Sequence, residues 1–175
     1  DQASTYDVAR TLGLPVILVA PARGMASTIL AVLKGMIEYR NDSNIRGIIL
    51  NRISPMLYPK MKKMIEEGLL AMGFQVQVVG YVPEEDAFHL ESRHLGLMLP
   101  EEIGNLEKQI DRAAEILTET LDMESVLEIA WEAKEIECHP VKAKQEETGR
   151  KVRIGVARDR AFCFYYKDNI ELLKE

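Results

Sequence analysis

An asparagine and a proline-containing turn stand where two apolar runs of the sequence end. Asn51 follows the run at 45–50, and Pro83 follows the run at 74–82. The Asn51 side-chain amide offers one donor and one acceptor, which match the exocyclic amine and a ring nitrogen of adenine. Pro83 and the backbone beside it can flank such a ring. The alternative is a structural role, since asparagine and proline are also ordinary turn residues.

Two other polar segments contain residue types that bind anions. Residues 22–28 lie between an apolar run and a predicted helix, whose first amide groups can hold a phosphate. The alternative there is a plain strand-to-helix turn. In residues 91–97, Arg93 can clamp a carboxylate or phosphate, and His94 can form a hydrogen bond or carry a proton. The alternative is a loop that packs its leucines inward and leaves Arg93 in solvent.

Aromatic and charged residues are concentrated near the end of the sequence. Four of the ten Phe and Tyr residues fall within 162–166, shortly after Arg158 and Asp159. Three interpretations are open: a contact between domains, a wall of a substrate site, or part of a core. Cys163 stands between two phenylalanines, which predicts a buried, unreactive thiol. Cys138 and Cys163 form no Cys-x-x-Cys pair, so we expect no zinc or redox motif and no metal site.

The elements that position these residues follow from the spacing of apolar side chains. Continuous apolar runs predict strands covered on both faces, whereas apolar positions three and four apart predict helices. We predict strands at 15–20, 45–50 and 74–82, and helices at 6–13, 25–40 and 60–72. This order predicts an α/β fold with three layers and a mostly parallel sheet. The carboxyl ends of parallel strands share one edge, so Asn51 and Pro83 are expected to be neighbours.

Beyond residue 99 the pattern is mainly helical. Pro100 opens a long predicted helix, and Asp122 caps a second one. The long helix is predicted to turn one apolar stripe to the core, made of Ile103, Leu106, Ile110, Ala114, Leu117 and Leu121. A further strand is predicted at 152–157, with a helix starting near Tyr166. The polar residues between Cys138 and this strand predict a linker.

Composition limits the classes of function. The chain has 175 residues, of which 47% are hydrophobic, and a net charge of −6. This length suits one domain, or one domain and a piece of a second. The acidic balance argues against a general nucleic-acid or anionic-membrane binder, and no apolar run reaches the roughly 20 residues that span a bilayer. With two cysteines and no disulfide framework, a cytoplasmic location is expected.

Eight segments, taken in order along the chain, resemble those of cobyrinic acid a,c-diamide synthases. They are residues 4–5 (ST), 9–10 (AR), 14–19 (LPVILV), 23–26 (RGMA), 47–53 (GIILNRI), 80–83 (GYVP), 91–97 (ESRHLGL) and 157–169 (ARDRAFCFYYKDN). The last two are long and specific, whereas the earlier ones also fit other P-loop proteins such as dethiobiotin synthetases. One position departs from the family, because Pro21 stands where an acidic residue is usual.

The resemblance implies a glutamine- and ATP-dependent ligase of cobalamin biosynthesis. In this family ATP and Mg²⁺ activate the a- and c-carboxylates of cobyrinic acid as acyl phosphates, and ammonia from glutamine then displaces the phosphate. Residues 1–138 would be the later part of a dethiobiotin-synthetase-like P-loop domain, without its P-loop portion. Residues 139–151 would be the linker, and 152–175 the first β-α unit of a class I-type glutaminase domain. The P-loop lysine and the glutaminase cysteine are expected outside this chain, so the piece alone is expected not to catalyse.

The resemblance also implies roles for individual residues. The adenine pocket would be formed by Asn51, Arg52, Val82, Pro83 and Glu84. Substrate would be bound by Ser92, Arg93, His94, Arg158, Asp159 and Tyr165. The implied ligands are a corrinoid precursor, ATP, Mg²⁺ and glutamine; a homodimer is one option, and neither nucleic acid nor membrane is expected as a partner.

Other functions fit parts of the same pattern. Within the class, the alternatives are a nickel-sirohydrochlorin a,c-diamide synthase and a cobyric acid synthase. From a different class, the alternative is a nucleotide-binding regulatory module of the partition-ATPase type. Such a module should carry a complete P-loop and lack the aromatic segment at 161–166 (AFCFYY).

Overall fold

The computed structural model describes residues 3–89, 104–136, 152–159, 162–163 and 165–174. The chain divides into two compact units, Asp1–Glu137 and Cys138–Glu175. Within the described ranges, no helix has both the length and the apolar character that crossing a bilayer requires.

The first unit is built on a parallel sheet of three strands. The strands β1 (Val16–Pro21), β2 (Ile45–Asn51) and β3 (Gln77–Val82) lie side by side in chain order. They are connected by helices α2 (Thr28–Glu38) and α3 (Tyr58–Ala71), and α1 (Thr5–Leu12) precedes them. The predicted α/β fold with parallel strands is therefore confirmed, with element bounds that differ by only a few residues.

One face of the sheet forms the main core with α2 and α3. Ile48 and Leu50 of β2 are completely buried on this face. The helices contribute four equally buried side chains at helical spacing, which are Ile29, Leu33, Ile65 and Leu69. Full burial of such a side chain stabilises a fold by about 1.5–3 kcal/mol relative to its exposure. This layer therefore holds the strands, and the loops that follow them, in fixed positions.

Helices α4 (Leu106–Thr120) and α5 (Met123–Trp131) contact the sheet as well. Ile129 of α5 packs against Gly47, whose neighbour Ile48 faces the main core. Val78 and Val79 of β3 are both buried, one towards each helix layer, and a β-bulge at Val79 interrupts the register with β2. The unit thus has three layers, as the sequence predicts.

The long helix α4 is rotated relative to its predicted apolar stripe. Ile116, which is not in the stripe, is the buried residue of the helix, whereas Ile110 is 57% exposed. The predicted helix start, from Pro100 to Ile103, lies outside the described residues. The predicted stripe is therefore wrong at Ile110 and Ile116, whereas Leu106 and Leu117 of the stripe are partly buried. The helix ends at a bridge between Leu121 and Gly80 of β3. Periodicity in the sequence carries no information on that contact.

Asp122 caps α5, as the sequence predicts. Its carboxylate accepts the Ser125 backbone N–H at 3.1 Å and the Ser125 hydroxyl at 2.8 Å. These hydrogen bonds hold the pKa of Asp122 below its ordinary value of 3.8. Because the pKa is lowered in the folded state, ionised Asp122 stabilises the fold above pH 3.8, and the contribution is lost as the pH falls through the folded pKa.

We therefore expect Asp122→Ala to lower the urea midpoint of unfolding at neutral pH. The difference from wild type should shrink steadily as the pH falls below 3.8. Far-UV circular dichroism at a series of pH values measures it, with Asp111→Ala on the exposed side of α4 as the control. If the urea midpoint of Asp122→Ala stayed below that of wild type by a constant amount down to acid pH, the capping role of the ionised carboxylate would be contradicted.

The second unit contains one regular element in its described residues, the helix α6 (Lys167–Leu172). The strand predicted at 152–157 does not form, and Val152 is 73% exposed. A strand needs a hydrogen-bonded neighbour, and the described part of this unit offers none to residues 152–157. Cys163, predicted to be buried, is only partly buried. The predicted helical start after Tyr166 is confirmed.

Candidate functional site

The ends of the three strands meet at one edge of the sheet. Asn51, the last residue of β2, stands in register with Pro21 of β1 on one side and with Val82 of β3 on the other. The Ala22 N–H donates to the Asn51 carbonyl, and the Arg52 N–H donates to the Val82 carbonyl, both at 2.8 Å. These bonds continue the sheet beyond its last residues. The loops that follow the strands are thereby held side by side, as the sequence predicts.

The loop after β2 is fixed at both ends. At its start, Arg52 has the left-handed φ of 58°, which turns the chain away from the sheet directly after Asn51. At its end, Tyr58 of α3 stacks on Tyr81 of β3, with ring centroids 4.4 Å apart. Burial raises the pKa of the Tyr58 hydroxyl, so this ring is neutral at physiological pH.

A cavity of about 400 Å³ opens at this edge of the sheet. Four of the five residues predicted to bind adenine line it, namely Asn51, Arg52, Pro83 and Glu84. The fifth, Val82, lies directly before Pro83 and contributes its carbonyl to the backbone contacts described above. Asn51 is partly buried, and among the described residues no hydrogen bond engages its side-chain amide. That amide is available to a ligand in the cavity.

Sequence reasoning missed the opposite wall of the cavity. The chain turns back after Pro83 in a short 3-10 helix, Asp86–Phe88, which places Phe88 and His89 in the lining. The Phe88 N–H donates to the Glu85 carbonyl at 3.1 Å, and α4 packs against this turn. The signal in the sequence for this part of the lining was the aromatic pair Phe88 and His89, shortly after the end of β3. Its position in the cavity depends on the turn, which the sequence pattern did not reveal.

The charges of the cavity are mainly negative. Glu84, Glu85 and Asp86 line it together with one cation, Arg52. Such a lining suits the uncharged base and the hydroxyl-bearing sugar of a nucleotide, and it disfavours the phosphates. Among the residues that the structure describes, no group of three or more His, Cys, Asp or Glu side chains could hold a metal ion.

The loop after β1 reaches the same edge. The Arg23 guanidinium donates to the Glu84 carboxylate at 2.7 Å and so connects the loop after β1 with the loop after β3. Gly24 follows with a left-handed φ of 69°, and α2 begins at Thr28 without a side-chain hydrogen bond from Ser27. The segment that the sequence presents as either a phosphate cradle or a plain turn is thus positioned beside the cavity.

The predicted substrate residues belong to two other segments of the chain. Ser92, Arg93 and His94 lie outside the described residues. Within the second unit, Asp159 accepts the Phe162 N–H at 2.8 Å, and the Tyr165 hydroxyl donates to the Ala157 carbonyl at 2.8 Å. Arg158 is exposed next to them. Asp159 and Tyr165 thus shape a local turn, and their assignment to substrate stays a prediction.

Comparison with known proteins places the first unit in a family. A family model described as an AAA domain matches residues 1–92, which include all three strands and the residues at their ends. The chain belongs to the AAA domain family. No solved structure gave a significant match to it. The parallel sheet and the cavity at its carboxyl edge are therefore properties of this AAA domain.

Several relatives of this chain are named cobyrinate a,c-diamide synthase. The chain is 39% identical to the one from Clostridium tetani over 98% of its own length. It is 33% identical to those from Limosilactobacillus reuteri and Saccharolobus solfataricus, over 100% and 98% of its length. The resemblance that the motifs indicate is thus confirmed. The chain spans 37% of the length of each of these relatives.

Proposed function

We propose that this chain supplies the nucleoside-binding part of an ATP- and glutamine-dependent ligase that amidates the a- and c-carboxylates of cobyrinic acid. The observation that carries the proposal is the cavity at the sheet edge, with Asn51, Pro83 and Phe88 in its lining. The names of the relatives support the corrinoid substrate, and the AAA domain family supports the use of ATP. The amide donor, glutamine, and the cytoplasmic location belong to the proposal as well.

The proposed reaction explains why a nucleotide is needed. A carboxylate is a poor electrophile, and transfer of a phosphoryl group from ATP converts it into an acyl phosphate with a good leaving group. Ammonia then attacks the carbonyl carbon, and phosphate departs to leave the amide. Mg²⁺ would enter with ATP, since it is usually held by substrate phosphates together with one or two carboxylates.

The residues of the cavity have separate roles in this proposal. The Asn51 amide would read the donor and acceptor pattern of adenine, and Pro83 and Phe88 would cover the faces of the ring. Glu84 and its acidic neighbours would accept hydrogen bonds from the ribose hydroxyls. We assign residues 1–138 to the ATP domain, 139–151 to a linker and 152–175 to the start of the glutaminase domain. Substrate binding is proposed for Arg158, Asp159 and Tyr165 and for Ser92, Arg93 and His94.

We expect Asn51→Ala to weaken the binding of adenosine to this chain about tenfold, because the base would lose its hydrogen bonds to the amide. NMR titration of the purified chain measures the affinity, even where it lies in the millimolar range. Asn41→Ala is the matched control, since Asn41 is an exposed asparagine in the turn before β2, at the opposite edge of the sheet. Equal affinities of the two variants, or no binding of adenosine to wild type, would contradict the proposed site.

A further inference from the structure

The ion pair between Arg23 and Glu84 connects two loops beside the proposed nucleoside site. Arg23 follows β1 and Glu84 follows β3, and β2 lies between these strands in the sheet. The contact of 2.7 Å therefore joins the loops on the two sides of Asn51, the last residue of β2. Glu84 also lines the cavity, so one side chain belongs both to the ion pair and to the site.

We propose that Arg23 binds the phosphate groups of the nucleotide and that Glu84 competes with them for the Arg23 guanidinium. The proposal rests on the proposed function, because it requires the base to lie at Asn51. It assigns a ligand to one side chain of the segment 22–28, for which the sequence left a phosphate cradle and a plain turn open. The chemical class of the ligand is a nucleoside polyphosphate.

The exposure of the pair makes the exchange of partners feasible. The side chains of Arg23 and Glu84 are 67% and 59% exposed. An ion pair in such surroundings contributes little to stability, because water screens it and two long side chains must be held in one geometry. A guanidinium binds a phosphate group through two parallel N–H donors. The phosphate groups of a nucleotide also carry more negative charge than one carboxylate does. A phosphate is therefore the stronger partner for Arg23.

The distribution of charge gives the nucleotide one orientation. Glu85 and Asp86 lie on the β3 side of Asn51, where they repel phosphate. Arg23 lies on the β1 side, next to the left-handed turn at Gly24 and the start of α2. With the base against Asn51, the phosphates are directed away from the carboxylates and towards Arg23.

The test is the ratio of ATP affinity to adenosine affinity, measured by titration of the whole 175-residue chain. We expect Arg23→Ala to lower this ratio about tenfold, through ATP alone, because a charge-assisted contact to phosphate is lost. Glu84→Gln should raise the ratio, since it removes the competing carboxylate and retains the shape of the side chain. Arg46→Ala is the control, because Arg46 is an arginine of β2 that pairs with Glu132 at 3.4 Å in a comparable exposed ion pair.

The outcomes separate this inference from the proposed function. If adenosine binds in an Asn51-dependent way and Arg23→Ala leaves the ratio unchanged, the role of Arg23 is wrong and the proposed site stands. If Glu84→Gln lowered the ratio of ATP affinity to adenosine affinity, the proposed competition between Glu84 and phosphate for Arg23 would also be wrong. If wild type binds neither adenosine nor ATP, both proposals fail. Inorganic phosphate and acetate serve as further probes, and Arg23-dependent binding of acetate without binding of ATP would overturn the assignment to a nucleotide.

Discussion

Replacing Gly80 by alanine is expected to destabilise the first unit by about 3–5 kcal/mol. Gly80 has a φ of 148°, a backbone conformation that residues with a side chain rarely adopt. A β-carbon at this position would lie 2.6 Å from the Thr120 carbonyl oxygen and 2.7 Å from the Leu121 α-carbon. Both obstacles are backbone atoms, so no side-chain rotation can relieve the clash. The end of α4 would have to leave β3.

The measurement is the urea midpoint by far-UV circular dichroism, together with hydrogen exchange of the β3 amides. Gly73→Ala is the matched control, because Gly73 also has a positive φ, 89°, but meets no atom within 4 Å of an added β-carbon. Gly73→Ala should lower the free energy of unfolding only by the cost of the strained backbone, about 1–2 kcal/mol. Similar losses in the two variants would contradict the close packing of α4 against Gly80.

The cavity would be affected by the same substitution. Gly80 lies two residues before Val82, and α4 packs on the 3-10 turn that carries Phe88. A displaced α4 would release that turn from its support. The stability of the core and the shape of the candidate site therefore depend on one contact between a strand and the end of a helix.

The second large effect is expected in the main core. Leu69→Ala should destabilise the first unit by about 3 kcal/mol, because Leu69 is completely buried and its removal leaves a cavity between α3 and the sheet. Leu70→Ala changes the same side chain one residue later in the same helix, where the leucine is 64% exposed. Its cost should stay below about 0.5 kcal/mol.

Both variants replace leucine by alanine in the same helix, so their effect on helix propensity is the same. The difference between their free energies of unfolding therefore reports the burial of the side chain. Chemical denaturation followed at 222 nm measures the two unfolding curves. Trp131, the one tryptophan of the chain, is 79% exposed and is a weak reporter of core packing. If Leu70→Ala lost as much stability as Leu69→Ala, the arrangement of α3 on the sheet would be wrong.

The order of strands and helices and the meeting of the strand ends were determined by the sequence alone. Continuous apolar runs and helical spacing are local patterns, and the right-handed crossover converts them into a parallel sheet with one carboxyl edge. The sequence alone therefore predicts that Asn51 and Pro83 are neighbours. The capping of α5 by Asp122 was equally local, since a cap depends on residues three positions apart.

Other features were decided by tertiary structure. The bulge at Val79, the rotation of α4 and the place of Phe88 in the cavity depend on contacts between residues far apart in sequence. The same holds for the Arg23–Glu84 ion pair, whose members are 61 residues apart. The strand predicted at 152–157 failed for a related reason, because a strand forms only when a neighbour supplies its hydrogen bonds. Local patterns encode elements, whereas the partners of each element are selected by the packing of the whole chain.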